Sequence, residues 1–300
     1  MKPLWLWWLL ALLALVGCAP QSAQAAPPEV DTGVDPTSWA LVPAGEFLMG
    51  LHSHPTLVEY DYEIMVTDVT NAQYAAYLNE ALASGAVKIV DGQVVGYYPG
   101  DEFHGHHHEV EIAAGDWLHV PLGSPDLRLE YDGTTFSAKP GYANHPMVVV
   151  TWFGAQAYCE FYGWRLPTEI EWEKAARGTD GRAYPWGDDI ARNQANYYSS
   201  HDLFEKIGGA GDTTPVGFFN GETYSGYQTR DSASPYGLYD MAGNVWQWVG
   251  NVYEGQHYRY LRGGSRADYA YNLRVWTRNS AGPDYYSPSV GFRCARDVAK

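Results

Sequence analysis

Thiol, carboxylate and imidazole are the groups in this chain with chemistry to offer, and their spacing limits what each can do. Near the C-terminus the sequence runs Arg262-Gly263-Gly264-Ser265-Arg266-Ala267-Asp268, passes Leu273, and closes on Val290-Gly291-Phe292-Arg293-Cys294. Ser265 brings a hydroxyl and Asp268 a hard carboxylate oxygen. Leu273 brings no ligand group. A second stretch, Asp240-Met241-Ala242-Gly243-Asn244-Val245, joins a carboxylate to a glycine-containing turn that can aim carbonyls inward. Asp240 and Asn244 either satisfy the turn itself or leave its oxygens for an ion such as calcium, which takes roughly six to eight oxygens from a flexible loop. A third, His104-Gly105-His106-His107-His108-Glu109, carries imidazoles that suit zinc or copper. Neighbouring side chains of an extended strand point in opposite directions, so these rings do not converge on one ion, and a solvated loop is the preferred reading. The sequence contains no Gly-x-Ser-x-Gly elbow, phosphate-binding glycine loop or His-Glu-x-x-His.

Between Ser265 and Val290 lie Asp268, Tyr269, Tyr271, Trp276, Thr277, Asn279, Ser280, Asp284, Tyr285, Tyr286 and Ser287. Tyr and Trp give rigid contact area at low entropic cost, and small polar residues adjust hydrogen bonding, so this is the composition of a recognition surface. The expected ligand-binding residues are Asp268, Tyr269, Tyr271, Trp276, Tyr285 and Tyr286. Ordinary loop residues are the competing reading.

The whole chain has 300 residues and a formal charge of −16, which argues against nucleic acid as a partner. Apolar residues make up 46%, with 12 Trp, 24 Tyr, 32 Gly and 18 Pro, which describes a loop-rich fold with aromatic rings buried under long connections. At the N-terminus Lys2 precedes an apolar run, Leu4 to Val16, with the length of a signal segment. It ends in Leu15-Val16-Gly17-Cys18, which looks like a bacterial lipobox. The expected organisation is a signal peptide over 1–17, a tether over 18–36 after a lipidated Cys18, and one domain over 37–297. That places the protein in a bacterial cell envelope, lipid-anchored and extracytoplasmic, at the outer membrane or cell surface. Cys159 and Cys294 remain as an even pair in an oxidising compartment, either bridged or as two buried thiols.

The elements that must position these groups are partly visible. Val42 to Gly50 and Tyr60 to Val66 predict strands. Thr70-Asn71-Ala72-Gln73 is a capping box, opening a helix that runs to about Ser84 and ends at Gly85. Residues 87–143 are hard to read apart from an Asp132-Gly133 hairpin turn. His145 to Val150 predicts a buried strand leading to a helix over Trp152 to Tyr162. Thr168 and Glu171 form a second capping box for a helix to about Arg177. Tyr184 to Gly187 predicts a tight aromatic turn. Trp246 to Val249 and Tyr260 to Arg262 predict short strands.

Arg165-Leu166-Pro167-Thr168-Glu169-Ile170-Glu171-Trp172-Glu173, Tyr236-Gly237-Leu238-Tyr239-Asp240-Met241-Ala242-Gly243-Asn244-Val245-Trp246, the Arg-Gly-Gly-Ser run and Gly291-Phe292-Arg293-Cys294 together resemble the formylglycine-generating enzyme family, or sulfatase-modifying factors. The resemblance extends over roughly residues 40–297. It implies a single α+β domain with a C-type-lectin-like core, and a disulfide between Cys159 and Cys294. It implies structural calcium on the Asp240 side chain with the carbonyls of Met241, Gly243 and Val245, and a second ion near Asn196 and Asp212. Active members carry two copper-ligating cysteines at the third and eighth positions after the active-site Ser. Here Ser265 matches that Ser, while Asp268 and Leu273 fill the cysteine positions. Formylglycine formation and copper are therefore not expected. The segment after Ser265 also resembles the variable region of diversity-generating retroelement proteins. The expected function is recognition of a protein or glycan ligand without catalysis. Two alternatives stay open: a metal-dependent oxidoreductase with altered ligands, and a structural accessory of an envelope complex.

Overall fold

The computed structural model of the chain describes residues 26–205, 211–253 and 257–298. Cys18, the segment 1–17 and the start of the tether lie outside them. Among the described residues no helix is long and apolar enough to cross a membrane.

Among the described residues three α-helices form where side-chain caps start them. In α1 (Asn71–Ser84) the Thr70 hydroxyl accepts the Gln73 amide at 3.2 Å, while Gln73 Oε1 accepts the Thr70 amide at 2.8 Å. Gly85, at φ 79°, ends it. α2 (Trp152–Phe161) is capped by Thr151, and α3 (Glu169–Arg177) by the reciprocal Thr168 and Glu171 pair. The α1 face bearing Tyr74, Tyr77, Leu78 and Ala81 is buried. Its tyrosines pack on α2, with the Tyr74 and Tyr158 rings stacked 5.6 Å apart and Phe292 5.3 Å from Tyr158. Beside them Cys159 and Cys294 are joined in a disulfide spanning 135 residues of sequence.

Among the described residues sixteen strands surround these helices. β1 (Trp39–Val42), β4 (Tyr62–Met65) and β16 (Ala295–Asp297) form one antiparallel sheet, bringing the two ends of the domain together. β2 (Gly45–Met49) pairs with β3 (His54–Val58). β5 (Val87–Val90), β6 (Gln93–Tyr98) and β7 (Gly115–Pro121) make a three-stranded meander in the stretch that sequence left unread. β8 (Leu129–Tyr131) and β9 (Phe136–Ala138) flank the expected Asp132-Gly133 turn, and β10 (Thr223–Tyr224) and β11 (Tyr227–Gln228) form another small hairpin. The C-terminal sheet, in the order β14 (Arg278–Ala281), β13 (Tyr258–Arg262), β12 (Trp246–Tyr253) and β15 (Val290–Phe292), is antiparallel except for the β12–β15 pair.

Two expectations are corrected. His145 to Val150 is buried but forms no regular strand. Its amides are taken singly, Met147 by the Val69 carbonyl and Val149 by that of Ser287, and Val149 sits at φ 60°. The second half of the stretch read as a tether lies against the domain: Val30 packs with Phe204, Phe218 and Phe219, and the Thr32 hydroxyl donates to the Val216 carbonyl at 3.0 Å. Apolar residues among the polar ones give this segment something to bury.

Candidate functional site

β13 ends at Arg262, and the loop 263–277 that follows carries the Gly-Gly-Ser turn. Arg262 is fully buried under the ring of Trp172 and fastens the base of this loop to α3. Its guanidinium donates to Glu169 Oε1 at 2.7 Å, Glu173 Oε2 at 2.6 Å and the Val275 carbonyl at 2.5 Å. Glu173 also accepts from buried Arg177 at 2.8 Å and from the Gly50 amide. Glu171 serves the cap and takes Arg165 bidentately, 2.7 Å to each oxygen. The three glutamates of the Pro-Thr-Glu-Ile-Glu-Trp-Glu run thus hold structure. A buried guanidinium is tolerated because every attraction is also a hydrogen bond.

Gly264, at φ 72°, brings the chain so close to the loop's return that a Cβ there would lie 2.9 Å from both the Asn272 carbonyl and Leu273 Cδ1. Ser265 follows. Asp268 Oδ2 accepts the Ser265 hydroxyl at 2.6 Å, the Ser265 amide at 3.0 Å and the indole N–H of Trp246 at 2.9 Å. Leu273 is fully buried with Tyr184, Ala195, Tyr197 and Ala242. One of the two positions after the Ser is therefore a carboxylate crosslinking its own turn, and the other is a core side chain. Asp268, expected on the recognition surface, instead stiffens the turn that displays its neighbours.

The tyrosines divide from there. Tyr269 and Tyr271 are each 63% exposed, Tyr285 47% and Tyr286 41%. Tyr198, which sequence reasoning missed, is 47% exposed and lies 4.9 Å from the Tyr269 ring. The Tyr198 amide donates to the Asp268 carbonyl, which fixes that pairing; its partner is remote in sequence, so no local signal marks it. Arg274 lies 4.8 Å from the Tyr271 ring. Trp276, also expected to bind, is half-buried on the second core cluster beside Arg177, and serves as an anchor. Tyr285 and Tyr286 sit on the crossover 282–289. Arg266 joins that crossover to the loop, donating to the Pro288 carbonyl and, at 3.0 Å, to the Ser289 hydroxyl.

The residues expected around calcium behave differently at the two places. Asp240 (φ 57°), Gly243 (φ 85°) and Asn244 (φ 62°) turn the chain in left-handed conformations. A Cβ on Gly243 would meet the Asn196 carbonyl at 2.3 Å, so glycine is required there. The Asp240 carboxylate is buried, accepts the Gly217 amide at 2.7 Å, and is pushed up to about 6 by burial. The charge of Arg293 offsets that burial only in part, and a cation held with the Met241, Gly243 and Val245 carbonyls would supply the rest. This loop fits calcium. The Asn196 and Asp212 pair does not. Asn196 presents its amide N–H to the Asp212 carbonyl at 2.9 Å. The Asp212 carboxylate already accepts Arg128 at 3.2 Å and the Tyr142 hydroxyl at 2.7 Å. A guanidinium from the poorly legible stretch stands where a second ion was expected. Among the described residues no group of three or more His, Cys, Asp or Glu could hold a metal, the His104 to His108 stretch included.

A family model for the sulfatase-modifying factor enzyme 1-like domain matches residues 24–298. The chain belongs to the formylglycine-generating enzyme family. It is 31% identical over 304 residues to the formylglycine-generating enzyme of Streptomyces coelicolor, with 86% of this chain and 88% of that protein covered. It is 40% identical over 163 residues to the inactive C-alpha-formylglycine-generating enzyme 2 of Mus musculus, covering 52% of this chain and 50% of that one. With the serine/threonine-protein kinase pkn1 of Chlamydia caviae it shares 37% identity over 192 residues, 58% of this chain but 27% of the kinase. The match thus spans about a quarter to a half of those two relatives. Among solved structures, PvdO from Pseudomonas aeruginosa superposes with a TM-score of 0.55 at 21% identity, covering 92% of this chain and all (100%) of PvdO. Treponema denticola variable protein 1 gives 0.50 at 22%, covering 87% and 95%. At that identity the likeness concerns the fold, and the expected α+β, C-type-lectin-like architecture is the one adopted.

Proposed function

We propose that this member of the formylglycine-generating enzyme family binds rather than transforms: a lipid-anchored, extracytoplasmic protein that recognises a protein or glycan through Tyr269, Tyr271, Tyr285 and Tyr286, joined by Tyr198. The observation that carries this reading is the state of the two positions after Ser265. Asp268 is bonded to Ser265 and Trp246, and Leu273 is core, so no sulfur ligand stands beside the hydroxyl. Thiolates are what hold Cu(I) in such chemistry. Support also comes from a relative whose name records it as an inactive formylglycine-generating enzyme. The tyrosines stand on a loop fixed at both ends, by Arg262 and Arg266, so little ordering entropy remains to be lost on binding. Calcium at the Asp240 loop would add to that rigidity.

The experiment is a binding comparison on the full chain. A ligand retained from the native envelope by the wild type should be lost from the Tyr269→Ala/Tyr271→Ala double variant, with an unchanged melting temperature, because both side chains are mostly solvent-exposed. Equal retention by both proteins would remove this face from the account.

A further inference from the structure

The irregular segment between β6 and β7 is fastened to the start of β13 by the imidazole of His257 and the guanidinium of Arg259. His257 Nδ1 lies 2.9 Å from Asp101 Oδ2, and its Nε2 lies 2.8 Å from Glu109 Oε1. Ionised carboxylates only accept hydrogen bonds, so both ring nitrogens must donate. A neutral imidazole donates from one nitrogen; only the imidazolium donates from both.

The other partners keep both carboxylates ionised and in place. Asp101 also accepts the Tyr98 hydroxyl at 2.6 Å and Arg259 Nη2 at 2.7 Å, while Arg259 Nη1 donates to the His257 carbonyl at 2.9 Å. Glu109 accepts the amides of His104 and His106 at 3.0 and 2.9 Å, and its Oε1 is 3.3 Å from His104 Nδ1. Glu102 lies 3.3 Å from the far nitrogen of His104. Glu111 and Asp284 join His257 around a cavity of about 160 Å³ that also touches Tyr258 and Trp117. The charges facing the ring are thus acidic, apart from Arg259 and the exposed His104.

We propose that protonated His257 is a latch, holding the Glu109 end of the segment 101–109 against the start of β13 and releasing that end when the proton leaves, while Arg259 keeps hold of Asp101. The two carboxylates, Asp101 foremost, raise the affinity of the ring for its proton above the ordinary histidine value. A raised histidine contributes fully below its unfolded value of about 6.5, and the contribution is lost as pH rises through the higher folded value. The latch is closed in mild acid and opens on the alkaline side. Asp284 borders the same cavity and immediately precedes Tyr285 and Tyr286, so opening would act beside the crossover that bears them. That consequence rests on the binding reading; the latch does not.

The test uses the full chain. Imidazole nitrogen shifts report the His257 midpoint, and amide exchange over 101–112, corrected for intrinsic base catalysis, reports the segment at pH 6 and pH 9. The latch predicts a midpoint above about 6.5. It also predicts a corrected exchange rate that rises about tenfold or more at pH 9, the ratio that a charge-assisted hydrogen bond represents. Asp101→Asn should lower the midpoint, and His257→Gln should exchange fast at both pH values. A midpoint at or below the ordinary value, or a segment exchanging equally at both pH values, overturns the proposal, and the wild-type protein alone decides it.

Discussion

At Asp268 a single carboxylate oxygen collects three donors within one tight turn. The carboxylate crosslinks its own turn at the position where the family resemblance implies a cysteine, beside Ser265 and the two glycines. Asp240 is the opposite case, a buried carboxylate with too few donors, whose carboxyl is pushed up to about 6. Without a cation, a carboxyl raised above its unfolded value costs stability as pH climbs from about 4 to 6, because the folded state resists losing the proton. A calcium ion on the Asp240 loop removes that cost. Chelation at pH 7 is therefore expected to lower the melting temperature, and Asp240→Asn to abolish the sensitivity to chelator. An Asp240→Asn variant that still responded to the chelator would place the ion elsewhere. The Asp212 position is expected to contribute nothing to the response, since Arg128 already neutralises it.

α3 shows what an element contributes. Its glutamates divide between two duties: Glu169 and Glu173 share one face, toward Arg262, while Glu171 turns back to the cap. Removing one partner of a buried ion pair leaves an uncompensated charge and costs about 3–5 kcal/mol. Glu173→Gln, which leaves buried Arg177 without its carboxylate and Arg262 with Glu169 alone, is expected to lose that much in denaturant unfolding; a loss below about 1 kcal/mol would mean the network is not holding the loop. The helices were legible because their caps are local: Thr70 with Gln73 and Thr168 with Glu171 carry the signal within four residues. The β5–β6–β7 meander was not, in part because Gly96 interrupts β6. A Cβ there would lie 2.4 Å from the His119 ring, so the glycine answers to a residue on another strand. Tyr198 and Arg128 escaped notice, and Val149 was expected in a strand, for the same reason: each is placed by a partner far away in sequence.

Over the whole molecule, the N- and C-terminal strands β1 and β16 share a sheet through β4, and the Cys159–Cys294 bridge closes most of the rest. Both ends of the described domain are therefore tied to the core, and the Tyr-bearing loop is held from below. Anchoring belongs to this scale too. Cys18→Ala is expected to release the protein from the membrane fraction, and retention would refute lipidation. The claim on which the rest depends is that this scaffold grips without oxidising. Copper titration of the purified full chain, followed by oxygen consumption with a cysteine-containing peptide, tests it most directly. The account predicts no stoichiometric copper binding and no oxygen uptake above the peptide alone. Tight copper binding at Ser265 with sustained turnover would contradict it.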